Sequence, residues 1–439
     1  MAGQTQAYRL NLWTTLGRTL FTLTAVFMVI GVAMLPVQAQ TLAVLHTFTG
    51  GADGANPYAG VVLDRGGNLY GTASLGGSTN CVEDQSIGCG TIFKLSRQRG
   101  GWTYNLLYTF LGGSDGNYPE APLTLGPDGA PYGTTTAGGN SGCAGLGCGT
   151  VFKLQPPVTF CRAVSCPWNK AELYQFTGGL DGGLPYASLI FDPSGSLYGT
   201  TSYAQANQYY GSAYELTRQG QGWNSTILYT FTQFDQEASP FGGMIFDRSG
   251  NLWGTTFGGG IADCDDPHLP DYCGTLFELT PTESGWSERV VYEFHRSVGG
   301  GPTGSLIMDQ AGNLYGTLQE DGPNGNGSVY QYNPSTGLLR VLYSASGNGE
   351  SPFGPQSGVV MDSVGNLYGV DAYANYAGFV FKLTPSNGNW IFTDLHDFTG
   401  GADGAAPYGT LAIDADGSIY GTTIWGGANN YGVVFQITQ

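Results

Sequence analysis

The sequence predicts an all-β protein, a seven-bladed β-propeller built from seven tandem repeats of four strands each. The 439-residue chain holds 73 Gly, 27 Tyr and 22 Phe but only 11% charged residues, a composition typical of short strands joined by tight turns. A Leu-Tyr-Gly-Thr signature recurs in seven copies, and internal repetition of this length indicates propeller blades. The order of strand types at the two ends of the chain predicts how the ring closes.

Each repeat divides into four strand-like runs bounded by Gly, Pro, Asp or Asn. In the first repeat these runs are 60–64, 68–72, 90–95 and 106–110. The second run carries the signature, which recurs about every 50 to 65 residues, within the range of propeller blades. The aromatic residue of the signature stands at Tyr70, Tyr132, Tyr198, Trp253, Tyr315, Tyr368 and Tyr420.

The two ends of the chain predict ring closure. A run of the fourth type, 44–48, precedes the first repeat, and a run of the third type, 432–437, ends the last repeat. We therefore expect the N-terminal strand to pair beside 432–437 as the outer strand of the last blade, since this leaves no exposed blade edge. Residues 40–439 are thus predicted to form one propeller domain.

The N-terminal segment is typical of a signal peptide. Two arginines precede an apolar run at 19–35, and small residues stand at 37 and 39, the positions that a signal peptidase reads. Residues 1–39 are therefore predicted to be removed on export to the periplasm or the cell exterior. An uncleaved membrane anchor is the alternative, since the apolar run is long for a signal peptide. No later segment is apolar enough to span a bilayer, so the mature chain should carry no membrane span.

The charge balance narrows the range of partners. The chain carries 33 acidic against 15 basic residues, a formal net charge of −18. Such a chain repels phosphate backbones, and no basic patch offsets this, so nucleic acid is not an expected partner. We expect a monomer.

The cysteines predict disulfides, because an exported protein folds in an oxidising compartment and the eight cysteines form close pairs. A four-thiolate zinc site is the alternative. It is disfavoured because the strand-like run 149–154 would hold two of the pairs roughly 20 Å apart. The predicted disulfides are Cys81/Cys89, Cys143/Cys148, Cys161/Cys166 and Cys264/Cys273.

Three motifs recur along the chain in a fixed order, represented by 48–54, 67–72 and 149–154. Together they resemble the GloVer tandem repeat, which defines a family of exported bacterial "choice-of-anchor" proteins. The resemblance covers nearly all of residues 42–439. It implies export and a repeat propeller, and it implies no agreed activity.

One face of the ring is the predicted binding face. The fourth-to-first and second-to-third connections emerge together there, as Thr-Gly-Gly-x-Asp-Gly loops and longer loops that vary between blades, and binding sites usually lie on such loops. The aspartates could instead cap turns or bind calcium, and apart from calcium no cofactor is expected. The candidate ligand-binding residues are Asp53, Asp115, Asp181, Asp403, Tyr209, Tyr210, Trp425 and Tyr431.

Catalytic motifs are missing from the sequence: the histidines do not cluster, and no nucleophile elbow, zinc-protease motif or phosphate loop occurs. We therefore predict an exported, non-catalytic repeat propeller that serves as a ligand-binding or interaction scaffold for a glycan or a surface protein. One alternative is a carbohydrate-active hydrolase or lyase with acidic residues on the same face, and another is a structural envelope component. An enzyme should show two or three converging acids, or a histidine, in a central funnel.

Overall fold

A computed structural model describes most of the chain beyond the predicted signal peptide, residues 1–39, which lies outside the described residues. Within the described part, strands dominate and the helical segments are two short 3₁₀ turns, Gly113–Asp115 and Cys143–Gly145. None of the helices described there is long and apolar enough to cross a membrane. The described residues are 40–81, 87–157, 168–203, 209–220, 222–232, 237–260, 264, 273–346, 354–374 and 377–439.

Residues 42–438 form one compact unit, in which the described strands make seven four-stranded antiparallel sheets. Blades 1 to 7 follow the chain, and the strands of blades 1 to 6 run in chain order from the centre outward, so the predicted seven-bladed propeller is confirmed. The first strands are Val61–Leu63, Thr124–Leu125, Ile190–Phe191, Ile245–Phe246, Ile307–Met308, Val360–Met361 and Ala412–Ile413.

The second strands carry the Leu-Tyr-Gly-Thr signature and are buried on both faces. They are Leu69–Ala73, Pro131–Thr135, Leu197–Thr201, Leu252–Thr256, Leu314–Leu318, Leu367–Asp371 and Ile419–Thr423. The third strands follow the long loops. They are Thr91–Gln98, Thr150–Gln155, Tyr209–Gln219, Thr275–Thr282, Gly325–Asn333, Phe379–Ser386 and Val433–Thr438.

The fourth strands form the outer edges of the blades. A further two-stranded ribbon, Glu237–Ala238 with Gly258–Gly259, joins two loops of blade 4. The fourth strands of blades 1 to 6 are Gly101–Thr109, Asn169–Gln175, Gly222–Thr232, Gly285–Glu293, Leu338–Ser346 and Asn389–Asp397, and the strand Thr41–Thr47 takes this place in blade 7.

The N-terminal strand closes the ring as predicted. It lies beside Val433–Thr438 as the outer strand of blade 7, and the N–H of Phe48 donates to the carbonyl of Gly432 at 3.1 Å. The fully buried ring of Phe48 packs edge-on against Phe93 of blade 1, with ring centroids 5.3 Å apart. Blade 7 therefore contacts blade 1 as closely as sequence neighbours contact each other.

The first strands approach so closely at the centre that side chains must be absent at some positions. Gly60 of blade 1 bridges Thr410 of blade 7, and a Cβ on Gly60 would stand 2.3 Å from the Thr410 carbonyl oxygen. Its φ of +87° is also one that residues with side chains rarely adopt. A glycine is therefore required where these two inner strands meet.

Aromatic side chains fill the space between neighbouring blades. A phenylalanine after the fourth strand packs edge-on against the third-strand aromatic of the next blade, as Phe110 does against Phe152 with centroids 5.4 Å apart. The signature tyrosine packs against the tryptophan that opens the fourth strand of the next blade, as Tyr70 does against Trp168. Such pairs add about 0.5–1.5 kcal/mol each beyond the burial of their area.

The turn between the first and second strands is held by an aspartate. The Asp64 carboxylate accepts the N–H groups of Gly66 and Asn68 and the side-chain N–H of Asn68. Blade 2 has Gly126 at this position, and there Asp128 caps the turn and pairs with Lys153. The residues of these short turns are thus committed to shaping the chain.

We expect removal of the N-terminal strand to lower the melting temperature sharply, because it exposes the edge of Val433–Thr438. A chain that begins at residue 49 should melt below one that begins at residue 40, and it should aggregate. In the intact chain, Phe48→Ala should cost about 3–5 kcal/mol. Val44→Ala, on the same strand at an exposed position, should change stability by about 0.5 kcal/mol at most. A shortened chain that melts like the longer one would contradict the closure.

Three of the four predicted disulfides are present: Cys81–Cys89, Cys143–Cys148 and Cys264–Cys273. Cys161 and Cys166 lie outside the described residues, and their disulfide stays a prediction. Peptide mapping of unreduced protein should find these two linked to each other. Labelling of either as a free thiol, or a link between different blades, would overturn this pairing.

Candidate functional site

Two sets of loops lie together on one face of the propeller, as predicted. In five blades a backbone bridge joins the fourth-to-first connection to the second-to-third connection of the same blade. The bridged pairs are Ala55–Leu75, Asn117–Ala137, Gly183–Tyr203, Gly300–Glu320 and Ala405–Trp425. We call this side of the molecule the loop face.

The four candidate aspartates of the loop face hold their own loops. The Asp53 carboxylate accepts the N–H and the hydroxyl of Thr49 and contacts the Nε2 of His46 at 3.1 Å. Asp403 makes the same three contacts, with Thr399 and His396. Such contacts are those of a turn cap.

The other two candidate aspartates cap their loops with different partners. Asp115 accepts the Tyr108 hydroxyl at 2.7 Å and the N–H of Leu111, and it pairs with Lys170. Asp181 accepts the Tyr174 hydroxyl and the N–H of Thr177. Among the described residues, no three His, Cys, Asp or Glu side chains form a group that could hold a metal ion. Ligand or calcium binding by the aspartates stays a prediction.

Two of the four candidate aromatic residues have side chains in the described part of the structure. Trp425 and Tyr431 are exposed, and the ring of Tyr431 lies over Gly50, where a Cβ would stand 2.4 Å from it. Tyr209 and Tyr210 begin the third strand of blade 3, and their side chains lie outside the described part. None of the candidates whose side chains are described lines the central cavity of the loop face.

A cavity of about 530 Å³ opens at the centre of the loop face. Its volume lies within the range of small-molecule sites. Each blade contributes the residue that follows a proline in its fourth-to-first connection. These seven residues, which we call the cavity ring, are Tyr58, Glu120, Tyr186, Phe241, Thr303, Gln356 and Tyr408.

The backbone before five of the ring prolines has an unusual conformation for a residue with a side chain. In five blades the preceding residue has a side chain and nevertheless a φ between +52° and +56°, a conformation that is uncommon outside glycine and costs free energy. Such strain persists only where the surrounding structure fixes the backbone from several sides. The five residues are Asn56, Tyr118, Leu184, Ser239 and Ala406.

Two neighbouring blades fix this segment together. The N–H of Tyr118 in blade 2 donates to the carbonyl of Cys89 in blade 1 at 3.3 Å, and the carbonyl of Tyr118 accepts the N–H of Thr136 at 3.0 Å. The next proline, Pro119, packs over Gly90 of blade 1, where a Cβ would stand 2.6 Å from it. We call this arrangement the inter-blade clamp. It sets the position of Glu120.

The disulfides brace the clamp. Cys89, Cys148 and Cys273 each precede the glycine that leads into a third strand, and each carbonyl accepts the N–H of the residue before the next ring proline. These disulfides therefore support the ring residues of the following blades. Those residues are Glu120, Tyr186 and Thr303.

The aromatic residues of the cavity ring form two walls of the cavity. At blades 7 and 1, the rings of Tyr58 and Tyr408 lie 4.3 Å apart between centroids, tilted by 34°. At blades 3 and 4, Tyr186 and Phe241 lie 5.3 Å apart, and Phe257 packs edge-on against Phe241. In a ring of seven blades, blade 4 is opposite the junction of blades 7 and 1. The two walls therefore lie on opposite sides of the cavity.

Polar side chains occupy the two gaps between the walls. Glu120 stands in one gap and accepts the hydroxyl of Thr136 at 3.2 Å. Burial raises the pKa of Glu120 to about 6, an effect that this hydrogen bond opposes. Thr303 and Gln356 stand in the other gap, where the Thr303 hydroxyl donates to the backbone carbonyl of Gln356 at 2.6 Å.

Gln356 is only 4% exposed, and its Oε1 atom has no hydrogen-bond partner among the described residues. The hydroxyl of its neighbour Ser357, which also lines the cavity, is likewise without one. A buried polar atom in this state needs a partner from water or a ligand. The described lining contains no Lys, Arg or His, and Glu120 is its one carboxylic acid. The described lining thus combines unpartnered hydrogen-bonding groups with one carboxylic acid and no cation.

The cavity ring is the feature that the sequence analysis missed. Its signal was present in the repeats as a proline, one variable residue and then small residues, as in Pro57-Tyr58-Ala59-Gly60 and Pro185-Tyr186-Ala187-Ser188. Alignment of the repeats on that proline would have marked the variable residue as the one position that changes chemistry between blades.

The fold and the cavity define a tandem-repeat β-propeller with a central ligand-sized site. The family model of the Gloeobacter/Verrucomicrobia repeat matches residues 31–265 and 185–391, and the chain belongs to this family. No curated protein matches the sequence.

Several solved structures are similar to this chain at low sequence identity. Puromycin hydrolase is 13% identical, with a TM-score of 0.50, over 83% of this chain and 49% of its own. A candidate 6-phosphogluconolactonase of Bacteroides uniformis is 15% identical, with a TM-score of 0.49, over 78% and 84% of the two chains. PorZ, a surface component of the type-IX secretion system of Porphyromonas gingivalis, is 14% identical, with a TM-score of 0.46, over 86% and 46%. The chain thus spans about half the length of puromycin hydrolase and of PorZ.

We expect Glu120 to make the protein less stable as the pH rises from about 4.5 to about 6, the ordinary and the raised pKa of this group. The folded state binds the Glu120 proton more tightly than the unfolded state does. Protonation of Glu120 therefore stabilises the folded state fully below that pH window, and this stabilisation is lost above it. Glu120→Gln should remove up to about 2 kcal/mol of this pH dependence. Urea unfolding of both proteins at pH 4.5 and 7.5 measures it.

Asp64→Asn is the matched control, because hydrogen bonds from Asn68 and Gly66 lower the pKa of Asp64 despite its partial burial. This variant should lose stability at the higher pH and little at acid pH. A Glu120→Gln protein with the pH dependence of the original chain would show that the carboxyl group is solvated in the folded state.

Proposed function

We propose that the chain is an exported, non-catalytic ligand-binding propeller whose ligand enters the central cavity of the loop face. One observation carries the proposal. Seven equivalent backbone positions, presented at equivalent points of the seven blades, carry five different residue types where they face the cavity. The inter-blade packing positions, in contrast, repeat aromatic residues. A single binding site requires such a break in the sevenfold symmetry.

The residues of the cavity favour binding over hydrolysis. Glycoside hydrolysis generally uses two carboxyl groups that flank the scissile bond, about 5 to 9.5 Å apart. Glu120 is the one carboxylic acid among the described lining residues. A lyase acting on an acidic sugar gains from a cation that offsets the substrate carboxylate, and the described lining supplies none. A binding role needs neither group.

Export is supported by the three disulfides in the described chain, since such bonds persist in oxidising compartments. It is also supported by the family resemblance. The ligand would then be a glycan or a surface protein met outside the cytoplasm. A structural role in the cell envelope is the second candidate function, but the open cavity favours ligand binding.

A glycan array probed with the mature chain tests the proposal, and calorimetry then measures each hit. Tyr408→Ala, in the cavity ring, should weaken binding by at least about tenfold, or 1.4 kcal/mol. Trp425→Ala, at an exposed position of the loop face outside the cavity lining, and Val364→Ala, in an exposed turn between first and second strands, are the controls and should leave affinity within that limit. Loss with Trp425→Ala alone would move the site to the outer loops. Loss with Val364→Ala alone would show that the opposite face binds.

A further inference from the structure

The walls and gaps of the cavity select among ligand classes, and this inference rests on the proposed function. We infer that the cavity binds one neutral pyranose ring, held flat between the two aromatic walls and hydrogen-bonded at its rim by Glu120 and Gln356.

The walls fit the faces of a sugar ring. A pyranose presents apolar C–H groups on its two faces and hydroxyl groups around its rim. Tyr58 with Tyr408 forms one wall, and Tyr186 with Phe241 forms the opposite wall. Each wall is a pair of aromatic side chains that line the cavity, and aromatic side chains combine large contact area with little loss of side-chain freedom. A flat amphipathic ring therefore buries both of its faces between them.

The polar gaps between the two walls fit the hydroxyl groups at the rim of a sugar ring. The Oε1 of Gln356 and the hydroxyl of Ser357 lack protein partners among the described residues although both side chains are almost fully buried. A buried acceptor without a partner costs about 1–3 kcal/mol. A sugar hydroxyl that donates to Oε1 would recover this loss, whereas a ligand without donors at its rim would leave the oxygen unpaired. Glu120, in the opposite gap, accepts one or two further hydroxyls.

Charge excludes the acidic sugars. The described lining holds no cation that could pair with a carboxylate, sulfate or phosphate group. Glu120 repels such groups, and the formal net charge of −18 adds to the repulsion at long range. The same argument excludes nucleotides, although a nucleobase could stack between the walls.

An organic cation is the remaining competitor, because aromatic faces and a carboxylate can together hold a quaternary ammonium group. In this cavity the aromatic residues form two separate walls rather than a closed cage. The gaps hold Thr303, Gln356 and Ser357, whose hydrogen-bonding groups have no role toward a quaternary ammonium ion. The polar gaps therefore favour the sugar.

Saturation-transfer NMR and calorimetry on the mature chain test the inference. The probes are the methyl glycopyranosides of glucose, galactose and mannose, tetrasaccharides of the same sugars, glucuronic acid as the acidic counterpart of glucose, and choline. At least one neutral sugar should bind at millimolar concentration or below. It should bind at least about tenfold more tightly than glucuronic acid and choline.

Two variants separate binding from folding. Gln356→Leu should weaken sugar binding by about tenfold. It should not lower the melting temperature of the free protein, since it removes a buried amide oxygen that has no partner among the described residues. Glu120→Gln should narrow the difference in affinity between the glucoside and glucuronic acid, because it removes the negative charge that repels the acidic sugar. Val364→Ala is the control for both and should change neither measurement.

The outcomes separate this inference from the proposed function. Tighter binding of choline or glucuronic acid, or no neutral sugar bound at millimolar concentration, overturns the pyranose assignment. If another ligand then binds and Tyr408→Ala abolishes its binding, the central cavity is still the binding site. If no ligand of any class responds to substitution in the cavity ring, both proposals fail.

Discussion

The inter-blade clamp is the contact on which the rest of the site depends. It joins the residue before a ring proline to the carbonyl that leads into the third strand of the preceding blade, as Tyr118 joins Cys89. In five blades the ring side chain is thus positioned by two blades, and neither blade could place it alone. The geometry of the cavity is therefore a property of the closed ring, and the closure of blade 7 by the N-terminal strand is part of the site.

The clamp also explains how a strained backbone is retained. A φ near +54° at Tyr118 or Leu184 is unfavourable for a residue with a side chain. The proline that follows cannot relax it, since its own φ is fixed and its ring packs on a glycine of the neighbouring blade. Hydrogen bonds on both sides hold the segment. A rigid presentation of this kind lowers the ordering cost of binding.

The sequence predicted the propeller because its repeats encode local rules. Alternating strands, the Asp-turns such as that of Asp64, and the displaced fourth-type run at 44–48 each follow from short-range patterns. The candidate site was predicted less well. Asp53 and Trp425 stand out in the sequence as candidate ligand-binding residues, but both lie away from the cavity lining. In five blades the loop residue that faces the axis is set by a positive φ before the proline, which no propensity of Tyr118 or Leu184 reveals.

The clamp also forms in blades that have no disulfide, so other contacts can support it there. In blade 7 the carbonyl that accepts the N–H of Asn56 belongs to Tyr431, and the ring of that tyrosine covers Gly50. In blade 6 the corresponding carbonyl belongs to Ala377 and holds Ala406. An aromatic cover in one blade thus stands where a disulfide stands in three others. Tyr431 therefore supports Tyr58 and its wall, so a loss of binding on its replacement reports on the site only if the melting temperature of the free protein is unchanged.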